Sequence, residues 1–296
     1  MPDMLSIHSF LKKAQQLLLP VCCNERVAEQ EALFLFEFFL NVSRATLFAM
    51  SSEIVASDIA QKIEQALDER IRMRKPLQYI LGSVPFADLT IKVRPPVLIP
   101  RPETEEIVAW LMHESLSIKQ SCVRILDLCS GSGCIALSLA NFFSNSTVIG
   151  VDINPDAVAL AKENAALNSL TSVEFLLGSL YEPLPLDYTC DLIIANPPYI
   201  APSRYAELEP EVRLWEDKRA LFADDDGMAI YKEILLKAKA TLAKEGVFTH
   251  NKLQCIVLEI GIDQHTIEDL CAACGFTRIK IFNDMQGNVR WVAIWN

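Results

Sequence analysis

The chain has 296 residues, a hydrophobic content of 51% and a formal net charge of −11. This length and composition are typical of a packed protein with one large and one small domain. The acidic balance argues against a broad nucleic-acid-binding face, because such a face needs clustered Lys and Arg to neutralise phosphates. An acidic surface is better matched to a partner protein that carries basic patches.

The segment 70–75 contains the one short run of basic residues, Arg70, Arg72, Arg74 and Lys75. One interpretation is a contact with RNA, which such a run can provide. The other is a helix end, where positive charge complements the helix dipole. We favour the helix end and expect no sequence-specific binding of nucleic acid.

The chain gives no sign of export, membrane insertion or metal binding. It opens without a basic region and apolar core of the signal-peptide type, and its most apolar stretch, 32–40, is short and contains Glu37. Nine cysteines, an odd number, are typical of reduced thiols. Cys271 and Cys274 form a single CxxC pair, whereas a closed zinc site needs four ligands. We therefore expect a cytoplasmic protein without a metal.

Residues 1–75 are expected to form a small helical domain. The segment contains no glycine, and apolar residues such as Ile7, Phe10 and Leu11 recur at helical spacing. The predicted helices, which would form a small bundle, lie near residues 5–19, 25–40, 43–50 and 56–74.

Residues 76–100 have the pattern of a β-hairpin linker, with Pro and Gly turns and an alternation of Leu89, Ile91 and Val93. From residue 101 to 296, strands alternate with helices. This order predicts an α/β domain with a mainly parallel sheet that is covered on both faces. Ligands of such sheets bind beyond the carboxyl ends of the strands.

A glycine-containing loop follows the first predicted strand of this domain. Asp127 lies near the end of that strand, and the small residues of the loop are Cys129, Ser130, Gly131, Ser132 and Gly133. Glycines let a ligand approach the backbone closely. The next apolar strand ends at Asp152, where a carboxylate can accept both hydroxyls of a ribose. Asn154 and Pro155 then have the types expected at the start of a helix.

This unit alone leaves the ligand open, because Gly131-x-Gly133-x-x-Ala136 also satisfies the dinucleotide fingerprint. Asp127 distinguishes a dinucleotide ligand from a cationic one. A carboxylate beside the loop would repel a pyrophosphate but suits a cationic ligand. The pattern therefore favours a sulfonium methyl donor over a nicotinamide cofactor.

The apolar run 192–195 is closed by Asn196, Pro197, Pro198 and Tyr199. Two prolines cannot continue a sheet ladder, and they stiffen the chain. A fixed Asn amide and nearby main-chain carbonyls can accept both N–H groups of a planar –CONH2 or aromatic –NH2, while a tyrosine ring packs on its face. The alternative is a rigid loop at a strand end without further function.

The chain resembles a known family, the glutamine N5-methyltransferases that modify peptide-chain release factors. These are class I S-adenosylmethionine (SAM) enzymes. The matching segments, in the family's order, are 76–82, 98–105, 127–133, 151–155 and 196–199. The segment 98–105, Leu-Ile-Pro-Arg-Pro-Glu-Thr-Glu, is the specific one, because the glycine loop and the Asn-Pro-Pro-Tyr tetrad also occur in adenine-N6 methyltransferases.

The resemblance implies a Rossmann-like class I sheet, SAM as cofactor with S-adenosylhomocysteine as product, and release factors as protein substrates. It implies methyl transfer to the side-chain amide of the glutamine in their Gly-Gly-Gln motif, with the helical domain helping to recognise the substrate. We expect a monomer. The implied cofactor-binding residues are Asp127, Cys129, Ser130, Gly131, Ser132, Gly133, Asp152, Asn196 and Leu180, with Tyr181 as the alternative to Leu180.

The implied substrate-binding residues are Arg101, Asn196, Pro197, Pro198 and Tyr199. Of these, Asn196, Pro197 and Tyr199 are assigned to catalysis. Adenine-N6 methylation of DNA or RNA remains an alternative, as does a SAM- or dinucleotide-binding module that transfers no methyl group.

Three features depart from the family pattern. Cys129 stands in place of a loop glycine, where we expect a small side chain to be tolerated. Trp215-Glu216-Asp217 stands where an aromatic-Glu-Pro sequence is expected, and no function is placed on it. The segment Gly246 to Gln254 is longer than the family's turn, which leaves the strand register there open.

Overall fold

The computed structural model describes residues 5–242, 255–264 and 266–295. The chain divides into two compact units, Met1–Gly82 with Glu209–Trp215, and Ser83–Leu208 with Glu216–Asn296. The first unit extends past residue 75, the predicted end of the helical domain, because the short helix Leu77–Leu81 belongs to it. The longer segment 246–254 lies outside the described residues.

The first unit is a helical bundle, as predicted. Its α-helices are α1 (Ile7–Leu18), α2 (Glu25–Leu40), α3 (Arg44–Ala49), α4 (Ser57–Arg72), α5 (Leu77–Leu81) and α9 (Pro210–Trp215). Asn24 caps α2 by accepting the Val27 N–H at 3.0 Å. In the apolar interior, Phe10 of α1 meets Phe36 of α2 edge-on, with ring centroids 5.1 Å apart.

The basic run at the end of α4 is paired within this unit. Arg70 is buried, and its guanidinium contacts Glu31 and Glu211 at 2.7 Å each. The remaining pairs are Arg72 with Asp68, Arg74 with Glu211, and Lys75 with Glu69. Arg70 therefore holds α4 to α2 and, together with Arg74, to α9, which comes from much later in the chain.

The second unit contains an antiparallel hairpin and a seven-stranded sheet of order β5-β4-β3-β6-β7-β9-β8. The first five strands in this order run parallel, and β9 is antiparallel to both of its neighbours. This arrangement confirms the predicted mainly parallel α/β fold. The strands are β1 (Ser83–Phe86), β2 (Leu89–Lys92), β3 (Arg124–Leu128), β4 (Thr147–Asp152), β5 (Val173–Leu177), β6 (Leu192–Ala195), β7 (Cys255–Glu259), β8 (Arg278–Asn283) and β9 (Val289–Trp295).

The described α-helices of this unit are α6 (Pro102–Glu114), α7 (Cys134–Phe142), α8 (Pro155–Leu167), α10 (Ala229–Thr241) and α11 (Ile267–Ala273). None of the helices in the described ranges has both the length and the apolar character needed to cross a membrane.

The sheet register brings the predicted site segments to one edge. Leu128 of β3 pairs with Val151 of β4 and with Ala195 of β6, and Ala195 pairs with Leu258 of β7. The residues that follow these four parallel strands therefore meet beyond their carboxyl ends. The strand order reverses between β3 and β6, which is where ligands bind in open α/β sheets.

Candidate active site

A cavity of about 250 Å³ lies at this edge of the second unit. Its wall includes several of the predicted site residues, namely Cys129, Gly131, Asp152, Leu180, Asn196 and Pro198. Other wall residues come from a segment on which sequence reasoning placed no function, namely Asp217, Arg219, Ala220 and Phe222. Within the described ranges the wall does not include the predicted residues Arg101, Asp127, Ser130, Ser132, Gly133, Pro197 and Tyr199.

The loop after β3 needs left-handed backbone at three positions. Gly131 and Gly133 have φ of 54° and 81°, and Cys129 has φ of 61°. A Cβ added at Gly133 would lie 2.7 Å from Cζ of Phe175, so only glycine fits there. Cys129, where the family usually has glycine, adopts a conformation that costs an ordinary residue about 1–2 kcal/mol.

Asp152 ties this loop to the end of β4. Its Oδ2 accepts the Gly131 N–H and its Oδ1 accepts the Asn154 N–H, both at 2.8 Å. Burial raises the pKa of Asp152, while these two backbone N–H groups act to lower it. Each carboxylate oxygen keeps capacity for one further donor, which is what recognition of a ribose requires.

Asn154 caps α8, as predicted. Its Oδ1 accepts the Asp156 N–H at 2.9 Å, and Pro155 occupies the first position of the helix. Its Nδ2 also donates to Asp217 at 2.8 Å. This second bond connects the start of α8 with the Asp217 segment of the cavity wall.

Asp127 lies behind the loop and is fully buried. Its Oδ2 accepts the Ala136 N–H at 3.1 Å, whereas its Oδ1 has no hydrogen-bond partner among the described residues. Burial raises the pKa of Asp127 well above its usual range. An unpartnered buried carboxylate oxygen calls for a donor or a positive charge, which none of the described side chains or backbone groups provides here.

The structure distinguishes Leu180 from Tyr181. Leu180 contributes to the cavity wall. Tyr181 instead donates its hydroxyl to the Ile234 carbonyl at 2.9 Å and packs against the core. Of the two residues, Leu180 is the one that lines the cavity.

The Asn-Pro-Pro-Tyr corner begins where β6 ends, and it is braced on several sides. Asn196 Nδ2 donates to Thr104 Oγ1 at 3.2 Å. The Tyr199 carbonyl accepts a hydrogen bond from Gln264 Nε2 at 3.0 Å. The Tyr199 ring packs closely on Gly261, because a Cβ added to Gly261 would lie 2.9 Å from Cδ2 of Tyr199. Burial raises the pKa of Tyr199 to about 12, so its hydroxyl stays protonated near neutral pH.

Arg101 is held by a buried carboxylate. Its Nη2 lies 2.6 Å from Glu216 Oε2, and the Ile99 N–H donates to Glu216 Oε1 at 3.4 Å. Burial raises the pKa of Glu216, although the Arg101 charge opposes this effect. The next residue, Asp217, donates its own N–H to the Pro96 carbonyl at 2.8 Å, which a proline at this position would not do.

Sequence reasoning missed Thr104, Glu216, Asp217 and Glu259 as site residues. Thr104 lies within the specific segment 98–105, but nothing local indicates a contact with Asn196. Glu259 does carry a signal, because it is a carboxylate at the end of an apolar strand. The part of the chain that the structure describes contains no group of three or more His, Cys, Asp or Glu side chains arranged for a metal.

Gly227 supports the corner by its lack of a side chain, and this predicts a strong effect of Gly227→Ala. Gly227 has φ of 86°, and an added Cβ would overlap the Tyr199 carbonyl oxygen. We expect the variant to lower the free energy of unfolding by about 3 kcal/mol, and to lower the methyl transfer that the family resemblance implies by at least about tenfold. Urea denaturation and a methyl-transfer assay measure the two effects.

Gly287→Ala is the matched control. Gly287 has a similar φ of 88°, but an added Cβ would meet nothing within 4 Å. It should therefore lose only about 1 kcal/mol from backbone strain and keep its activity. Equal losses of stability and activity in the two variants would contradict the proposed role of Gly227 at the corner.

Comparisons with known proteins agree with this fold. Residues 119–291 match a family described as a methyltransferase domain, and residues 11–82 match the PrmC N-terminal domain. The crystal structure of a methyltransferase from Pyrococcus furiosus has a similar fold, with a TM-score of 0.50 and 17% identity over 81% of this chain and 98% of that one.

Two curated relatives are similar over most of their lengths. The release factor glutamine methyltransferase of Thermodesulfovibrio yellowstonii is 35% identical over 84% of this chain and 85% of its own length. That of Aliivibrio fischeri is 33% identical over 97% of this chain and 96% of its own length. The chain belongs to the release factor glutamine methyltransferase family.

Proposed function

We propose that this protein transfers a methyl group from SAM to the side-chain amide nitrogen, N5, of the glutamine in the Gly-Gly-Gln motif of peptide-chain release factors. Membership of the family supports the reaction. The observation that carries the proposal is that Asn196, at the end of β6, lines the same cavity as Gly131 and Asp152. The residue proposed to bind the carboxamide, Asn196, and the residue proposed to bind the ribose, Asp152, thus line one cavity.

The residues around the cavity fit SAM. Asp152 would accept the ribose hydroxyls, and Leu180 would lie against the adenine. The loop from Cys129 to Gly133 would surround the methionine part, and the unpartnered Oδ1 of Asp127 would meet its positive charge. When bound, SAM supplies a methyl group on a positively charged sulfur.

The acceptor nitrogen has to be made reactive by its neighbours, because an amide lone pair is delocalised into the carbonyl. Asn196 Oδ1 and the Pro197 carbonyl would accept its two N–H groups, with Pro198 fixing the corner and Tyr199 packing on the amide. These bonds favour a pyramidal nitrogen and direct its lone pair. Positioning of this kind supplies roughly 7–11 kcal/mol of a barrier reduction.

The same acceptors stabilise the positive charge that grows on the nitrogen during transfer. A protonated, methylated amide is acidic enough to lose its proton to water. No histidine is therefore assigned to catalysis. We place Arg101 at the substrate channel, where its bond to Glu216 would fix the entrance to α6.

The test is to incubate the protein with methyl-labelled SAM and either an unmodified release factor or total RNA and DNA. We expect label on the release factor, with one added methyl group on the Gly-Gly-Gln peptide by mass spectrometry. A release factor whose motif glutamine is replaced by glutamate is the control and should stay unlabelled.

Label on nucleic acid and none on the release factor would favour the adenine-N6 alternative and overturn the proposal. A nicotinamide nucleotide that binds more tightly than SAM would instead favour a dinucleotide-binding module.

A further inference from the structure

Three side chains from different elements form a chain of hydrogen bonds that leads from the cavity wall, at Asn196, into the buried interior. Asn196 Nδ2 contacts Thr104 Oγ1 at 3.2 Å, and Thr104 Oγ1 contacts Glu259 Oε2 at 2.6 Å. Thr104 lies in the first turn of α6, and Glu259 lies at the end of β7. Thr104 and Glu259 are each 2% exposed, so water does not replace either contact.

The chemistry of the three groups fixes the direction of both bonds. A hydroxyl has one hydrogen to donate, and a carboxylate only accepts. While Glu259 is ionised, Thr104 therefore donates to it, and the short distance is typical of an O–H···O⁻ bond. With its hydrogen used in this way, Thr104 can only accept from Asn196. The NH2 end of the Asn196 amide is thereby turned inward, and Oδ1 is left for other partners.

We propose that Thr104 and Glu259 are positioning residues that keep the carbonyl oxygen of Asn196 directed at the amide to be methylated. This inference rests on the proposed function. If the Asn196 amide were reversed, its NH2 group would face the NH2 group of the substrate, and two donors cannot bond. The orientation of one amide thus determines whether the acceptor site accepts or repels its substrate.

The Glu259 side chain is not needed to hold its own strand in place. Tyr231 donates its hydroxyl to the Glu259 backbone carbonyl at 2.8 Å, and β7 pairs with β6 and β9 on its two sides. A buried carboxylate is costly unless it is bonded, and an apolar side chain would be less costly there. Packing alone therefore does not explain why a carboxylate occupies this position. The hydrogen bond that it accepts from Thr104 does explain it.

Glu259 is also placed to make the orientation depend on pH. Burial raises its pKa to about 7, the bond from Thr104 and the charge of Arg290 act to lower it, and the charge of Glu103 acts to raise it. A protonated Glu259 can donate to Thr104, which frees the Thr104 hydrogen and releases the orientation of Asn196. The other titratable or charged groups that interact with Glu259 are Arg101, Cys134, Tyr199 and Tyr231.

The test compares Thr104→Val, which keeps the shape but lacks the hydroxyl, with Thr104→Ser, which keeps the hydroxyl. We expect Thr104→Val to lower kcat/KM for the release factor by about 10- to 50-fold, with SAM affinity within about threefold of the parent. Thr104→Ser should recover most of that loss. Equal activity of the valine and serine variants would overturn the proposal, as would loss of SAM binding in parallel with activity in Thr104→Val.

A second measurement does not depend on methyl transfer. In protein labelled with ¹⁵N-asparagine, the Asn196 side-chain NH2 signal, assigned from its loss in Asn196→Asp, should exchange slowly with solvent. Thr104→Val should speed the exchange, and Thr104→Ser should not. Unchanged exchange in Thr104→Val would overturn the inference. Failure of the parent protein to methylate the release factor would count against the proposed function alone.

The pH profile gives a third test. In the parent protein, kcat/KM should fall as pH decreases through about 7, because Glu259 then gains a proton. Glu259→Gln cannot titrate, so it should have a lower kcat/KM that does not change over this range. The same acid limb in Glu259→Gln would show that another group is responsible and would overturn the role of Glu259.

Discussion

Asn196→Ala is expected to lower kcat for methylation of the release factor by at least about 100-fold, while SAM affinity stays within about tenfold of the parent value. The variant removes the oxygen that would accept a substrate N–H in the transition state. Asn196 also forms part of the cavity wall, which is why a small loss of SAM affinity is expected. Single-turnover kinetics and calorimetric titration with SAM separate the two effects.

Asn145→Ala is the matched control for this prediction. Asn145 is exposed, donates to the Gln120 carbonyl at 2.9 Å, and precedes the start of β4, at the opposite edge of the sheet. Its replacement should leave kcat unchanged. If Asn196→Ala turned over at nearly the parent rate, the Asn-Pro-Pro-Tyr corner would have no role in the proposed mechanism.

Asp152→Asn is expected to weaken SAM binding by about 100-fold, because a hydrogen bond to a charged group contributes about 1.5–3 kcal/mol. Both carboxylate oxygens already accept a backbone N–H, from Gly131 and from Asn154. An amide NH2 in place of either oxygen would face one of these donors. The change would therefore remove the proposed ribose acceptor and also disturb the loop, and calorimetric titration measures the result.

Asp156→Asn makes the same change of charge four residues further on. Asp156 is exposed in the first turn of α8 and does not contribute to the cavity wall. We expect its SAM affinity to stay within about twofold, since charges in a first turn are worth well under 1 kcal/mol at exposed positions. Similar affinities in the two variants would rule out a ribose contact by Asp152.

The framework of the site could be predicted from the sequence, because its signals are local. The strand that ends at Ala195 is a short apolar run closed by two prolines, and β4 is an apolar run that ends at Asp152. Parallel pairing brings such strand ends to a common edge whatever the rest of the chain does. The resemblance to the family then suggested which of these residues bind the cofactor and which bind the substrate.

The supporting contacts could not be predicted in the same way, because they join residues far apart in the chain. Thr104 and Glu259 are separated by 155 positions, and Asn196 and Thr104 by 92. Helical spacing or strand alternation says nothing about which side chains meet across elements. Asp127 is fully buried and does not line the cavity, and its proposed interaction with the charge of SAM is supported by its Oδ1, which has no partner among the described residues.

The pairing of Arg70 with Glu211 has a consequence for how the protein is made. The helical bundle takes its last helix from Glu209–Trp215, after more than half of the α/β unit has been translated. In a nascent chain that ends at Gly82, the Arg70 guanidinium lacks Glu211, one of its two carboxylate partners. The amino-terminal unit therefore cannot reach its finished state on the ribosome until the segment around residue 211 has emerged.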